Sequence, residues 1–222
     1  MGNIFSSSIG RKLIMSISGL FLLLFLSLHL FLNSLLLVGP DAFNFAANFM
    51  STNPLIKIME PVLAAGFIIH IIYATILTLK NQAARPQNYK NVDQSKASAW
   101  SSRNMYILGF TLLLFLVMHM ANFFWKIKFG EVPSVMVDGV EMHDTYTLVT
   151  SLFLTYKWIN ALYIAGAIAL GLHLSHGFWS AFQTIGWNNA VWMFRLKVIA
   201  YTFAVIIAGG YSVISLYFWF FA

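Results

Sequence analysis

Two stretches of this sequence are nearly identical, and each ends in a histidine. The first runs from Gly19 to His29 and the second from Gly109 to His119, and both contain the run Leu-Leu-Leu-Phe-Leu. Both histidines lie deep inside apolar segments that are long enough to cross a bilayer. An ionisable side chain in hydrocarbon is costly and rare, so it indicates function. A repeated one indicates two side chains that share a ligand.

Two further apolar segments carry His70 and His173. The chain has no cysteine, which excludes disulfides, thiolate-bound iron–sulfur clusters and the Cys-x-x-Cys-His attachment of c-type haem. Four intramembrane imidazoles without any thiol predict haem b that is bound noncovalently through histidine.

The composition is that of an integral membrane protein. Hydrophobic residues make up 59% of the chain and charged residues 9%, whereas about a quarter of the residues of a soluble domain are charged. The sequence therefore predicts an all-α integral membrane protein in which residues 1–222 form a single transmembrane domain. Its five apolar runs each suffice for a span of about 20 residues. We place the five helices at residues 13–38, 55–79, 104–127, 157–182 and 191–218.

Charge predicts the orientation, because loops on the cytoplasmic side are enriched in Lys and Arg. Of the 13 basic residues, only four fall on the side opposite the N-terminus: Lys57, Lys126, Lys128 and Lys157. The N-terminus is therefore predicted to be cytoplasmic and the C-terminus outside, as in a multi-pass protein of the bacterial inner membrane. Because topology explains the net charge of +6, the basic loops do not indicate nucleic-acid binding.

The same topology sorts the histidines by depth, at about 1.5 Å per helical residue. His29 and His119 lie past the middle of helices that start on the cytoplasmic side, so both are expected toward the outer leaflet. His70 and His173 lie past the middle of helices that run the other way, toward the cytoplasmic leaflet. The prediction is an outer pair, His29 with His119, and an inner pair, His70 with His173.

Small residues accompany the histidines. Gly19 and Gly109 each precede a histidine by nearly three turns, which places them on roughly the histidine's face at the depth of the inner pair. Missing side chains there make room for a flat macrocycle between helices. The fourth helix carries a similar stripe around His173: Gly166, Ala169 and Gly177. We expect a four-helix bundle that holds two haems b, one beneath each face of the membrane.

Any one of these histidines, taken alone, is more often a hydrogen-bonded packing residue than a ligand. Two pairs at matching depths favour ligation, and the members of one pair each end one copy of the repeated segment. His176 lies one turn beyond His173, and for it both roles, packing residue and ligand, stay open. His143 lies in an outer loop, where we expect it to be solvated, with proton handling as the alternative.

The outer connections carry turn signals. Pro133 and Asp138-Gly139 predict a turn or short hairpin. Gly39-Pro40 is expected to end the first helix, and Asp41 to cap a short amphipathic helix. That helix has its apolar side at Phe43, Ala46, Ala47 and Met50.

An iron with imidazoles at both axial positions has no site for O₂ or substrate and can only pass electrons. Two such centres conduct electrons across the bilayer. The membrane partner is then expected to be a quinone, and the other partner a separate polypeptide.

These residues resemble the single-chain, five-helix, diheme cytochrome b that anchors succinate dehydrogenases and fumarate reductases in the membrane. The resemblance covers most of the chain. It is carried by Ser16-Ile-Ser-Gly19, His29-Leu-Phe-Leu-Asn33, the segment from Gly39 to Met50, Met59-Glu60, His70-Ile-Ile-Tyr73, the second Gly-to-His frame, and the segment from His173 to Gly186.

The resemblance implies two haems b with the pairing given above and His173, rather than His176, as the fourth ligand. It also implies a flavoprotein and an iron–sulfur subunit on the cytoplasmic side, with the dicarboxylate site on another subunit. A menaquinone-type site is implied near the outer haem. Some fumarate reductases of this family carry a glutamate for proton movement two residues before the fourth ligand, where this chain has Gly171.

Further residues are candidates for binding. Glu60 and Asn33 are candidates for the quinone site, with a helix-capping role as the alternative for Glu60. Four residues at cytoplasmic depth could neutralise or hold the propionates of the inner haem, namely Ser16, Arg11, Lys12 and Arg103. The positive-inside bias by itself would also place the three bases there.

Two other functions fit parts of the pattern. One is the cytochrome b subunit of a membrane hydrogenase or formate dehydrogenase, which also links iron–sulfur clusters to quinone through two haems. The other is a metal or proton transporter with buried histidines as waypoints. The lack of intramembrane Asp or Glu partners disfavours the transporter.

Overall fold

The computed structural model describes residues 7–84, 100–187 and 189–221. Three basic residues that were counted for the predicted orientation lie outside these ranges: Arg85, Lys90 and Lys96.

Helices dominate the described part of the chain. The α-helices are α1 (Ser8–Ser34), α2 (Pro40–Thr52), α3 (Pro54–Ala83), α4 (Trp100–Arg103), α5 (Met105–His119), α6 (Trp125–Phe129), α7 (Thr145–Thr155), α8 (Lys157–Thr184) and α9 (Ala190–Phe220). A 3₁₀ turn, Leu35–Leu37, extends α1, and a π-helical segment, Met120–Phe124, joins α5 to α6.

Five of these helical segments are long and apolar enough to cross a membrane, which confirms the predicted number and order. They are Ser8–Leu37, Pro54–Ala83, Met105–Phe129, Lys157–Thr184 and Ala190–Phe220. The first starts at Ser8 rather than at residue 13, because the Ser7 hydroxyl accepts a hydrogen bond from the Gly10 N–H at 3.0 Å and caps the helix. The chain is thus a multi-pass α-helical membrane protein.

Local chemistry fixes where the other long helices begin. Asn53 caps α3 by accepting from the Leu55 N–H at 2.9 Å, and Pro54 occupies the first helical position, where no N–H is needed. Asn189 caps α9 by accepting from the Trp192 N–H at 3.0 Å. Asparagine side chains therefore fix the first residue of two of the five spanning helices.

The spanning helices pack around α8, which contacts α1, α5 and most extensively α9. α1 in turn contacts α3 and α9. A buried cluster joins α1, α8 and α9 midway along them, at Leu23, Leu174, Ala204 and Ile207. α8 is thus the central helix, and α3 and α5 flank the α1–α8 pair.

The connections at one end of the bundle form a cap. Its hairpin consists of β1 (Ser134–Val137) and β2 (Val140–His143), antiparallel and paired from Ser134 with His143 to Val137 with Val140. Asp138 and Gly139 form the turn with φ of 51° and 79°, as a two-residue type I′ turn requires. The predicted hairpin is confirmed. The adjoining helix α7 was not predicted.

The short helix α2 has the predicted apolar side. Phe43 is buried, and Ala46, Ala47 and Met50 are half-buried, while Phe45 and Phe49 on the other side are exposed. The predicted cap is wrong, however. Gly39, with φ of 146°, occupies the capping position, and Asp41 lies within the first turn. Its carboxylate still faces the positive end of the helix dipole.

A polar contact holds α2 against α7. Asn44, which is 1% exposed, donates to Asp144 Oδ1 at 3.2 Å and accepts from the Tyr146 N–H at 2.7 Å. Asp144 also caps α7, accepting from the Thr147 N–H at 3.0 Å. Burial raises the pKa of the Asp144 carboxyl, but the hydrogen bonds from Thr147 and Asn44 outweigh it and leave the pKa below its ordinary value.

Candidate functional site

The four intramembrane histidines come from four different helices and meet in two pairs. His29 on α1 faces His119 on α5, with ring centroids 5.7 Å apart and ring planes at 87°. His70 on α3 faces His173 on α8, with centroids 6.4 Å apart and planes at 65°. These are the two pairs that the depth of each histidine predicts. Whether they ligate iron stays a prediction.

Aromatic rings surround the pair formed by His29 and His119, which we call the outer pair. Phe25 stacks on His29 with centroids at 5.1 Å, and Phe115 stacks on His119 at 5.9 Å. The second face of His119 is closed by Phe123 at 5.4 Å and Tyr163 at 6.0 Å. Such a lining packs against the imidazoles and restricts the orientation of each ring.

Tyrosine hydroxyls lie at the edge of the outer pair. The Tyr163 hydroxyl accepts from the Asn122 amide at 3.3 Å. Tyr211 on α9 packs 6.0 Å from His29 and donates to the Leu26 carbonyl at 3.3 Å. Both phenols therefore have partners, and they tie the surroundings of the outer pair to α8 and α9.

Glycines lie against the pair formed by His70 and His173, which we call the inner pair. A Cβ added at Gly19 would lie 3.5 Å from His70 Cε1, and one added at Gly109 would lie 3.7 Å from His173 Cε1. These are ordinary contact distances, so an alanine would fit at either position in the protein without a bound group. Any larger side chain would extend onto the imidazoles. Both glycines thus lie at the depth expected for them, beside the inner pair.

The inner pair also has a hydrogen-bond partner that the sequence did not single out. Ser18 Oγ lies 3.3 Å from His70 Nδ1. Its neighbour Ser16, the residue named from the sequence, is buried at 5% exposure. Because α1 turns by about 100° per residue, the two serines point to different sides of the helix.

Each pair offers two ligands. Two imidazoles that share a metal at about 2 Å from each nitrogen place their ring centroids about 6 Å apart, close to the separations of 5.7 Å and 6.4 Å. Within the described residues, no group of three or more His, Cys, Asp or Glu is assembled that could hold a metal ion. Two nitrogen ligands are what an iron porphyrin leaves open, so the donor sets fit haem b.

Of the bases predicted to meet the inner propionates, Arg11 shows a matching feature. Its Nε is buried and has no hydrogen-bond partner within the described residues. A buried guanidinium nitrogen without a partner is costly, so an acceptor is expected there. Lys12 is exposed, and Arg103 ends the short helix α4, which packs against α8.

The two candidates for quinone binding have different partners. Asn33 donates to the carbonyl of His29 at 2.8 Å, within its own helix. Glu60 pairs with Lys128 Nζ at 2.7 Å. Because α3 begins at Pro54, Glu60 lies in the second turn, and the alternative role as a first-turn cap is wrong.

Glu60 lines a polar cavity of about 470 Å³ between α2, α3, α6 and the hairpin. The other lining residues are Asn48, Ser51, Thr52, Phe124, Ile127, Lys128, Ser134, Glu141, Met142 and His143. Phe124 lines this cavity, and its neighbour in the chain, Phe123, packs against His119. Sequence reasoning gave Glu60 but neither Lys128 nor the cavity.

The remaining predicted residues have structural contacts. His176 packs edge-on against Trp179 with centroids 4.7 Å apart. His143 Nδ1 lies 3.4 Å from the Val132 carbonyl, at the rim of the polar cavity. In the small-residue stripe of α8, Gly166 faces Phe115, Gly177 faces Met105, and Ala169 is buried.

The position of Gly171 is closely packed. A Cβ at Gly171 would lie 2.8 Å from the Ala208 Cβ of α9. The glycine therefore serves the close contact of α8 with α9, and a glutamate side chain has no room there.

Comparisons of the chain with family models, with curated proteins and with solved structures give no match.

Proposed function

We propose that this chain is a diheme cytochrome b that passes electrons across a bacterial inner membrane, as the membrane anchor of a succinate:quinone oxidoreductase. One observation carries the proposal. Four transmembrane helices each contribute one histidine, and the four rings form two pairs with centroids 5.7 Å and 6.4 Å apart. Two imidazoles per site suit a group that brings its other four ligands with it.

In this proposal His29 and His119 hold the outer haem b, and His70 and His173 the inner one. Bound haem supplies a one-electron carrier at each site. Phe25, Phe115 and Phe123 line the outer pair. With two histidines per haem, each iron would have no ligand position left for O₂ or substrate, so the bound groups would only pass electrons. Gly19 and Gly109 leave the space beside the inner imidazoles.

The quinone side of the reaction is assigned to the polar cavity. Quinone reduction needs two protons, and Glu60 is a carboxylate in the wall of this cavity. The ammonium of Lys128 lies 2.7 Å from the Glu60 carboxylate and forms an ion pair with it. His143 at the rim offers a second proton-handling group.

The proposal assigns the other partners by orientation. With the N-terminus cytoplasmic, the inner pair faces the cytoplasm, where an iron–sulfur subunit and a flavoprotein carrying the dicarboxylate site would dock. The enzyme activity is then shared, with quinone chemistry on this chain.

The test is reduced-minus-oxidised spectroscopy with haem quantitation on the purified full-length chain. We expect two haems b per chain, loss of one signal in His29→Ala and His119→Ala, and loss of the other in His70→Ala and His173→Ala. His143→Ala is the matched control and keeps both. A colourless protein, one haem per chain, or a His173→Ala variant with both haems would reject the proposal.

Co-purification tests the assignment of the complex. A flavoprotein and an iron–sulfur subunit are expected with the chain. A nickel or molybdenum subunit in their place would transfer the cytochrome to a hydrogenase or formate dehydrogenase.

A further inference from the structure

Ser18 contacts the inner pair from α1. It is 8% exposed, and its Oγ lies 3.3 Å from His70 Nδ1 across the α1–α3 interface. Gly19, the next residue, faces the same edge of the ring, since its added Cβ would lie 3.5 Å from Cε1 and 3.8 Å from Nδ1. The Nδ1–Cε1 edge of His70 is therefore held against α1.

Counting protons gives the direction of this hydrogen bond. A serine hydroxyl has a single hydrogen to donate, and Ser18 Oγ also lies 3.0 Å from the Met15 carbonyl, which can only accept. With that hydrogen committed to Met15, the contact to His70 requires an N–H on Nδ1. The Nε2 atom of His70 then carries the lone pair that a metal needs.

Two of the other three rings lack this support. The Nδ1 atoms of His119 and His173 are buried with no hydrogen-bond partner among the described residues. Within the inner pair, one imidazole is thus fixed in tautomer and orientation by the protein, and its partner is not.

We infer that Ser18 is a positioning residue for His70, which presents Nε2 to the inner haem iron and makes this imidazole the stronger donor of the inner pair. The inference rests on the proposed function. A hydrogen bond accepted from Nδ1–H raises the basicity of the ring, which stabilises oxidised iron. Removal of the hydroxyl is therefore expected to raise the midpoint potential of the inner haem and leave the outer one unchanged.

The test compares Ser18→Thr with Ser18→Val, because the two side chains have the same shape and differ in the hydroxyl. Both haem content and the two midpoint potentials are measured by redox titration of the full-length chain. The inner signal is the one missing from His70→Ala. Ser27, whose Oγ bonds only to the Leu23 carbonyl of its own helix at 3.0 Å, supplies the matched control pair Ser27→Thr and Ser27→Val.

We expect Ser18→Thr to match the wild type, and Ser18→Val to raise the inner potential or weaken inner haem retention. Equal haem content and equal potentials in the two Ser18 variants would overturn the inference, as would the same difference in the Ser27 pair. If the β-branched variants fail to fold, Ser18→Ala against the wild type is read in the same way. Haem content of the wild type separates the two proposals, because a colourless wild type overturns the proposed function itself.

Discussion

The ring of His29 on α1 and the ring of His119 on α5 have centroids 5.7 Å apart and lie nearly perpendicular. Each histidine ends one copy of the repeated segment, Gly19 to His29 in α1 and Gly109 to His119 in α5. The repeat thus supplies both members of the outer pair. The glycines that begin the two copies, Gly19 and Gly109, lie beside the inner pair instead. One repeated segment therefore contributes to both sites, and substitutions along it are expected to act on one site at a time.

Gly109→Leu is expected to abolish or strongly weaken haem retention at the inner pair and to spare the outer pair. The leucine Cβ would lie about 3.7 Å from His173 Cε1, so the rest of its side chain would cover the imidazole. Gly209→Leu is the control, since a Cβ at Gly209 meets nothing within 4 Å. The measurement is haem per chain, and two haems in Gly109→Leu would contradict the role given to the glycine.

Glu60→Gln is expected to slow quinone turnover by about 100-fold, in the range typical of a lost proton-transfer group. Haem content should not change, because an ion pair with side chains 41% and 34% exposed contributes no more than about 1 kcal/mol to folding. Glu131→Gln removes an exposed acid that does not line the cavity. Equal turnover in the two variants would remove Glu60 from the quinone site.

Gly171→Ala is expected to lower the free energy of unfolding by about 1–3 kcal/mol, as overpacking does. The added Cβ would lie 2.8 Å from Ala208 Cβ, so α8 and α9 must move apart. Gly171→Glu should be worse. Thermal unfolding in detergent, with Gly209→Ala as the control, measures the effect. An unchanged midpoint in Gly171→Ala would show that the two helices separate at no cost.

Asp144→Asn is expected to change how stability depends on pH. The pKa of Asp144 is lowered in the fold, so the ionised carboxylate stabilises the protein above the ordinary Asp pKa of about 4. This stabilisation is lost as the pH falls through the lower, folded-state pKa. Asparagine keeps a helix cap but does not titrate.

The free energy of unfolding of the wild type should therefore exceed that of Asp144→Asn at pH 6. The gap should shrink toward pH 3. A gap that is constant over this range would mean that Asp144 acts through its cap geometry alone.

Features that depend on the pattern of residues within one short segment were predictable from the sequence. The five spans follow from long apolar runs, the hairpin from Asp138-Gly139, and the buried side of α2 from the spacing of its apolar residues. The histidine pairs were also predictable, because helix direction and rise convert sequence position into depth. The spans, the hairpin and the buried side of α2 each need only one segment, and the histidine pairs need in addition the alternating direction of successive spans.

Contacts between distant segments were not predictable in the same way. The hydrogen bond of Ser18 to His70 and the ion pair of Glu60 with Lys128 each join two helices. A serine in a membrane helix ordinarily bonds to its own backbone, so Ser18 carried no signal that distinguished it from Ser16. Asp41 was expected at the capping position of α2, but Gly39 occupies it. Glu60 was given a capping role as its alternative, although it lies six residues beyond the start of α3 at Pro54.

The π-helical segment after His119 sets which residues of α6 and of its own last turn face the polar cavity. Its N–H of Trp125 bonds to the Met120 carbonyl, five residues back, so the segment holds one residue more than an α-helical turn would. Deleting one residue there would restore the α-helical register and swing everything beyond it by about 100° around the helix axis. Phe124 and Lys128 would then leave the cavity wall while His119 stayed in place. The position of the cavity wall relative to His119 thus depends on one additional residue in this segment.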